Sequence, residues 1–220
     1  MEVLDNLPHD KIARCKETGA ILQGEVQLMK SISGTGNTTL KEEIFQPLSD
    51  ELLKAVISLQ HSYLPSVIDG GSPKWVPTTA CGVINEIFSS RPHSSILFAD
   101  FDWLPPPQLI ETKSVTKRRS IEGVNEPLIT SMDDVDHLCY LEAPSHCDIL
   151  YPTNFEHLEG YTKAILIDQN IISSSVKSMK QNEFLLEYGM SEIEETKGFT
   201  GFSPLLEDFS NCSAMIVSRN

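Results

Sequence analysis

The sequence contains no run of the roughly 18 apolar residues that a membrane-crossing helix requires, so no helical span is expected. It has no Cys-x-x-Cys pair, and its cysteines are odd in number: Cys15, Cys81, Cys139, Cys147 and Cys212. Ligand pairs at zinc spacing are therefore missing and no metal site is expected. Free thiols in a reducing compartment fit this usage better than a disulfide framework. Cations are scarce: Lys and Arg total 17 against 31 Asp and Glu, a net charge of −14. That balance argues against nucleic acid, whose phosphates reward clustered basic residues, and fits a soluble protein or one that meets a basic partner. The single basic cluster, Lys117-Arg118-Arg119, reads as a solvated loop. A Gly-x-Ser-x-Gly elbow is absent, which disfavours an α/β-hydrolase fragment. Gly34-x-Gly36 is followed by no Gly-Lys-Ser/Thr, and the third glycine of the dinucleotide fingerprint is missing. Met1 to Pro8 has no basic n-region, apolar signal core or Arg-rich amphipathic helix. No internal repeat, low-complexity tract or second domain boundary is visible.

What the chain does contain is a short apolar run that ends on a carboxylate, Ile96-Leu97-Phe98-Ala99-Asp100. Flanked by polar residues, it predicts a strand buried on both faces. Asp100 then falls at the C-terminal end of that strand, the edge where ligands sit in open α/β sheets. Asp102 follows, and Leu104 to Pro107 ends regular structure through three prolines. At 220 residues the chain is one domain or part of a larger one, and folding would hide roughly 70% of its unfolded surface.

Val3 and Leu4 read as the end of a strand that runs into a tight turn at Asp5-Asn6, with Pro8 holding Leu7 extended. Lys11 to Arg14 and Gly24 to Ile32 suggest hairpin strands, with Val26, Leu28 and Ile32 on one face. Gly34 to Asn37 predicts a hairpin or the loop before a helix, which Thr38 or Thr39 would cap with Glu42 or Glu43 completing a capping box. Leu48, Leu52, Leu53, Val56, Ile57 and Leu59 have helical spacing that stops near Pro65, and Asp69 to Pro73 is a loop. Trp75 to Thr79 starts a helix whose buried stripe is Val83, Ile84, Ile87 and Phe88, and Arg91-Pro92 ends it. Ile110 to Pro127 predicts a long mobile loop. Leu128 to Thr130 is a short strand, Leu138 to Leu141 an apolar run, and Cys147 to Phe155 a strand, a proline turn and a helix through Leu158. Ala164 to Ile167 suits strand or helix. Val176 to Leu186 predicts a helix with Phe184-Leu185 inward, Leu205-Leu206 is apolar, and Ala214 to Val217 closes the chain as a strand. Strands alternating with helices indicate an α/β fold.

Three of these segments resemble, in order, the MidA-like methyltransferases: Glu2-Val3-Leu4-Asp5-Asn6-Leu7-Pro8-His9-Asp10, Phe98 to Pro105, and Asp148-Ile149-Leu150-Tyr151-Pro152-Thr153-Asn154-Phe155. Trp75-Val76-Pro77-Thr78 and the tail Ser203 to Phe209 are similar too. That family includes the mitochondrial protein arginine methyltransferase that assists respiratory complex I assembly. The resemblance runs nearly end to end, to the family's C-terminal half. It implies the C-terminal part of a seven-stranded Rossmann-like class I methyltransferase sheet with helical insertions, 1–220 forming one partial methyltransferase domain. The cofactor implied is S-adenosyl-L-methionine, the partner a protein substrate from complex I, and the location the mitochondrion. Glu2 to Leu7 would follow the fourth strand, beside the transferred methyl group, and Ile96 to Asp100 would be the fifth. The first three strands and the glycine-rich cofactor loop would lie outside this stretch, leaving the cofactor-binding residues unknown. A non-catalytic fragment or isoform that only binds partners is the alternative.

An arginine substrate arrives as a cation with a pKa above about 12, and carboxylates hold its planar fork in bidentate geometry. Glu2 and Asp5 are therefore the expected catalytic carboxylates, with Asn6 and Asp100 contacting substrate. Asp5-Asn6 as a simple turn, and Asp100 as a cap or loop residue, remain open. Asp102 reads as structural and Asn154 as a helix N-cap before a site residue. No Ser, Cys or carboxylate at triad spacing accompanies His9 or His137, so both read as ordinary surface or loop histidines.

Overall fold

A computed structural model describes residues 9–18, 20–33, 36–63, 74–105, 127–131, 135–137, 139–141, 143–144, 146–171 and 174–219. The expected strand end at Val3-Leu4, the Asp5-Asn6 turn, the 69–73 loop, the cluster at 117–119 and all but the last residue of the 110–127 loop lie outside them. The fold is mixed α/β with small antiparallel sheets. Contacts divide the chain into two compact units. One holds Met1–Ser58, Pro65–Thr79 and Pro105–Tyr151, and the other holds Leu59–Leu64, Ala80–Leu104 and Pro152–Asn220.

The first unit carries an antiparallel sheet in the order β3-β2-β1-β4, built from β1 (Asp10–Arg14), β2 (Ile21–Ser33), β3 (Gly36–Pro47) and β4 (Lys74–Val76). Ser33 pairs with Gly36, and the β2–β3 register continues to Leu22↔Pro47. Of the two readings of Gly34 to Asn37, the hairpin holds. The helix after it does not exist: Thr38, Thr39, Glu42 and Glu43 are strand residues, each paired across to β2. Ladder hydrogen bonds to β2 satisfy the backbone groups that a cap would have served. Helix α1 (Glu51–Tyr63) starts where Asp50 Oδ1 accepts the Leu53 amide at 2.7 Å, and it buries Leu53, Val56 and Ile57. A second small sheet, in the order β7-β6-β8, joins β6 (Leu128–Thr130), β7 (Asp136–His137) and β8 (Asp148–Leu150).

The second unit is built on the order β5-β10-β9, from β5 (Ile96–Phe101), β9 (Ser174–Lys180) and β10 (Cys212–Arg219). β10 runs antiparallel to both neighbours, so β5 and β9 run the same way. Helix α3 (Phe155–Asp168) lies in the connection between those two parallel strands and packs on β9 and β10. The central ribbon is thus β10, and the expectation that Ile96 to Ala99 is buried on both faces is corrected. β5 pairs only with β10 among the described residues, and its burial alternates, leaving Leu97 58% exposed. An uninterrupted apolar run carries no period, so it cannot separate a central strand from an edge.

The second correction concerns Val176 to Leu186. Ser174 to Lys180 is strand β9, and only Gln181–Tyr188 forms helix α4, where Phe184 and Leu185 are half-buried. Val176 and Met179 are three residues apart, a spacing that fits a helix and puts them on opposite faces of the strand, so no two-residue hydrophobic pattern marks β9. Helix α2 (Thr78–Ser90) ends before Arg91-Pro92, as expected, with Ile84 and Phe88 fully buried. Ala164 to Ile167 is helical, inside α3. Short helices α5 (Met190–Thr196) and α6 (Pro204–Glu207) complete the unit, and its core holds Leu158, Tyr161, Ile193, Met215 and Val217.

Candidate functional site

Of the four predicted site residues, Glu2, Asp5 and Asn6 lie outside the described residues. Asp100 lies near the C-terminal end of β5, half-buried. Its Oδ2 accepts from Thr153 Oγ1 at 2.7 Å, and its Oδ1 accepts from the Phe101 amide at 2.8 Å. Thr153 is 1% exposed, and its own amide donates to the Phe101 carbonyl at 2.8 Å. Phe98 meets Phe155 edge-on at 6.1 Å. The second and third sequence motifs are therefore locked together, with Asp100 in the seam. Asn154 caps α3, its Oδ1 accepting the His157 amide at 3.0 Å.

Asp102 is structural, as expected. Its Oδ2 accepts from both Lys180 Nζ and Ser213 Oγ, and its amide donates to the Asn211 carbonyl at 2.8 Å. These bonds tie the end of β5 to β9 and β10. Its Oδ1 is buried with no hydrogen-bond partner among the described residues. The two carboxylates at this strand end are already held by protein donors, which fixes their geometry.

A second cluster forms in the first unit, where β1 follows the opening motif. Lys11 stands opposite Trp75 in the β1–β4 register. Its Nζ lies 2.8 Å from Glu43 Oε2, 5.3 Å from the Trp75 ring centroid and 5.4 Å from that of Tyr140. The Tyr140 hydroxyl donates to Glu43 Oε1. Trp75 meets Tyr140 at 6.0 Å and Tyr151 at 5.3 Å, both edge-on, while Tyr151 stacks on His9 at 5.0 Å with planes 9° apart. His9 lies in the loop before β1, as one of its two readings had it, but at 8% exposure it is not a surface residue; the ring is buried against Tyr151. His137 is half-buried on strand β7.

The electrostatics follow from that packing. Burial pushes the Tyr140 hydroxyl up, and its bond to Glu43 and the Glu43 charge add to the shift. Burial also raises Tyr151, aided by the Asp10 charge. Asp10 itself is raised by burial, with the Asp50 charge adding and a hydrogen bond from Thr78 opposing. The cluster therefore keeps its phenols protonated and holds one ammonium between aromatic faces and a carboxylate.

His9, Asp10, Trp75, Thr78 and Tyr151 all fall within the motif segments singled out in the sequence. Their order there gave the signal, but not that they meet. Lys11, Glu43 and Tyr140 carry no motif, and only the β1–β2–β3 register reveals Glu43. No strand, glycine loop and helix of the kind that cradles a nucleotide-like cofactor occurs among the described residues. Gly36 belongs to the β2–β3 hairpin, so these residues do not fit the methyl donor and none is assigned to hold it.

Residues 1–169 match a family model described as "Putative S-adenosyl-L-methionine-dependent methyltransferase". No curated protein matches the chain. A crystal structure of an uncharacterized ACR superfamily protein from Burkholderia thailandensis is similar in fold, with a TM-score of 0.56 at 13% identity. The similarity covers 95% of this chain and 51% of that one, so this chain spans about half that protein's length.

Proposed function

Since the chain belongs to this methyltransferase family, whose cofactor is S-adenosyl-L-methionine, we propose that it is the C-terminal half of a MidA-like protein arginine methyltransferase. The substrate is an arginine of a mitochondrial complex I subunit, and the role is support of complex I assembly in the mitochondrion. The observation that carries this reading is the convergence of the motif segments. His9 and Asp10 of the first meet Tyr151 of the third and Trp75 to Thr78, and Asp100 of the second is bonded to Thr153 of the third.

The sheet supports the Rossmann-like reading. Two parallel strands, β5 and β9, are linked through a helix as such sheets require, with β10 inserted antiparallel between them. The outer edge of β5 has no strand partner among the described residues.

The cofactor supplies an activated methyl group. The protein's tasks are to align the acceptor nitrogen and keep water away. Glu2 and Asp5 are the proposed grips on the guanidinium, with Asn6 accepting one of its N–H groups. In the full-length enzyme, Glu2→Ala and Asp5→Ala should each lower arginine methylation of a complex I subunit about 100-fold, the scale of a misaligned reactant. Wild-type rates in both variants would remove these roles. A second reading is a chain that binds partners without catalysing transfer. Micromolar binding of S-adenosyl-L-methionine to the 220-residue chain by calorimetry would refute it.

A further inference from the structure

We propose that Trp75, Tyr140 and Glu43 form a guanidinium-binding subsite that Lys11 fills as a stand-in cation. This deepens the arginine-methyltransferase reading and rests on it. Lysine heads are ordinarily solvated. The Lys11 side chain is only 20% exposed and that of Glu43 17%. The ammonium lies within about 6 Å of two ring centroids, the range at which the ring quadrupole attracts a cation. Tyr140 donates to one Glu43 oxygen and Lys11 to the other, so the carboxylate is aimed at the cation.

A guanidinium suits this box better than the ammonium already there. It is planar, so it stacks on an aromatic face, and it is more weakly hydrated than an ammonium. Its fork also presents parallel N–H groups to a carboxylate. The exchange swaps one positive charge for another, so Glu43 is never left buried and unpaired, which is the costly state. The displaced Lys11 has a flexible stem on which its head can reach water. Lys11 follows Asp5, the proposed catalytic carboxylate, by six positions in the chain.

The test is titration of the 220-residue chain with methylguanidinium chloride, followed at the Trp75 indole N–H by NMR, with neutral methylurea as the isosteric control. A saturable shift with methylguanidinium and none with methylurea is expected. Lys11→Ala should tighten binding at least tenfold, and Lys11→Arg, whose own guanidinium fills the box, should abolish the shift. If Lys11→Ala does not fold, the wild-type and Lys11→Arg comparison decides. No saturable shift in the wild type, or an equal shift in Lys11→Arg, would overturn the subsite. Intact methylguanidinium binding beside a failed arginine-methylation assay would remove the transfer reading and keep the subsite. Arginine methylation with no such binding would remove the subsite alone.

Discussion

Replacing Thr153 by valine removes one hydroxyl and almost nothing else. Oγ1 of Thr153 donates to Asp100 Oδ2 at 2.7 Å, and the side chain is 1% exposed. Valine fills the same space, so the packing around Phe101 and Phe155 stays, while the carboxylate loses a donor. A hydrogen bond to a charged group contributes about 1.5–3 kcal/mol. Asp100 is half-buried, so water replaces part of the loss and the lower end applies, about 1.5–2 kcal/mol. With a urea slope of about 2 kcal/mol/M, the midpoint should fall by about 0.75–1 M at unchanged slope. Thr153→Ser keeps the hydroxyl and deletes one methyl, about 0.8 kcal/mol or about 0.4 M. In an Asp100→Asn background the valine substitution should cost about 1 kcal/mol less, the coupling that a double-mutant cycle reads. Equal losses for valine in both backgrounds, or a midpoint within about 0.2 M of wild type, would refute the claim that this bond joins the two motifs.

Three further outcomes follow from the described contacts. Asn154→Ala should destabilise by about 1 kcal/mol through loss of the α3 cap, and Asn154→Asp should restore most of it, as read by urea midpoints. Glu159 is pushed up by burial, but bonds from Lys163 and Ser178 outweigh that and hold it below the ordinary value of 4.5. Its contribution is then present above the unfolded value and lost as pH falls through the folded one. The stability gap between wild type and Glu159→Gln should therefore be full near about pH 6 and close in acid; a gap that widens in acid would reverse the sign. Cys15 has its thiol lowered by hydrogen bonds from the Thr18 side chain and then the backbone, whereas burial raises Cys81 and Cys212. Iodoacetamide with peptide mass mapping should label Cys15 ahead of both.

Much of the second unit was legible. Helix α2 was marked by its Ile84–Phe88 stripe and by Arg91-Pro92, and α3 by the Asn154 cap. What failed shares one cause: pairing partners decide an element when local pattern is weak. Thr38 to Glu43 has capping chemistry that only the β2 ladder overrides. Ile96 to Ala99 has apolarity but no period, so its edge position depends on β10, more than 110 residues later. Ser174 to Lys180 has only two apolar residues, Val176 and Met179, whose separation of three fits a helix better than a strand. The Asp102 role was readable as structural, although its partners, Lys180 and Ser213, lie 78 and 111 residues away. The aromatic box was half legible: Trp75 and Tyr151 sat in motifs, while Glu43 was assigned to a helix that does not form.

The placement of β10 between β5 and β9 has a consequence for biosynthesis. During translation, β5 leaves the ribosome long before Cys212–Arg219 has been made. At about 5–20 residues per second, β5 waits on the order of ten seconds without this neighbour. Over that interval the half-buried Ile96 and Phe98 lack their partners Val217 and Met215, and the nascent chain is then most open to chaperones and to mispairing.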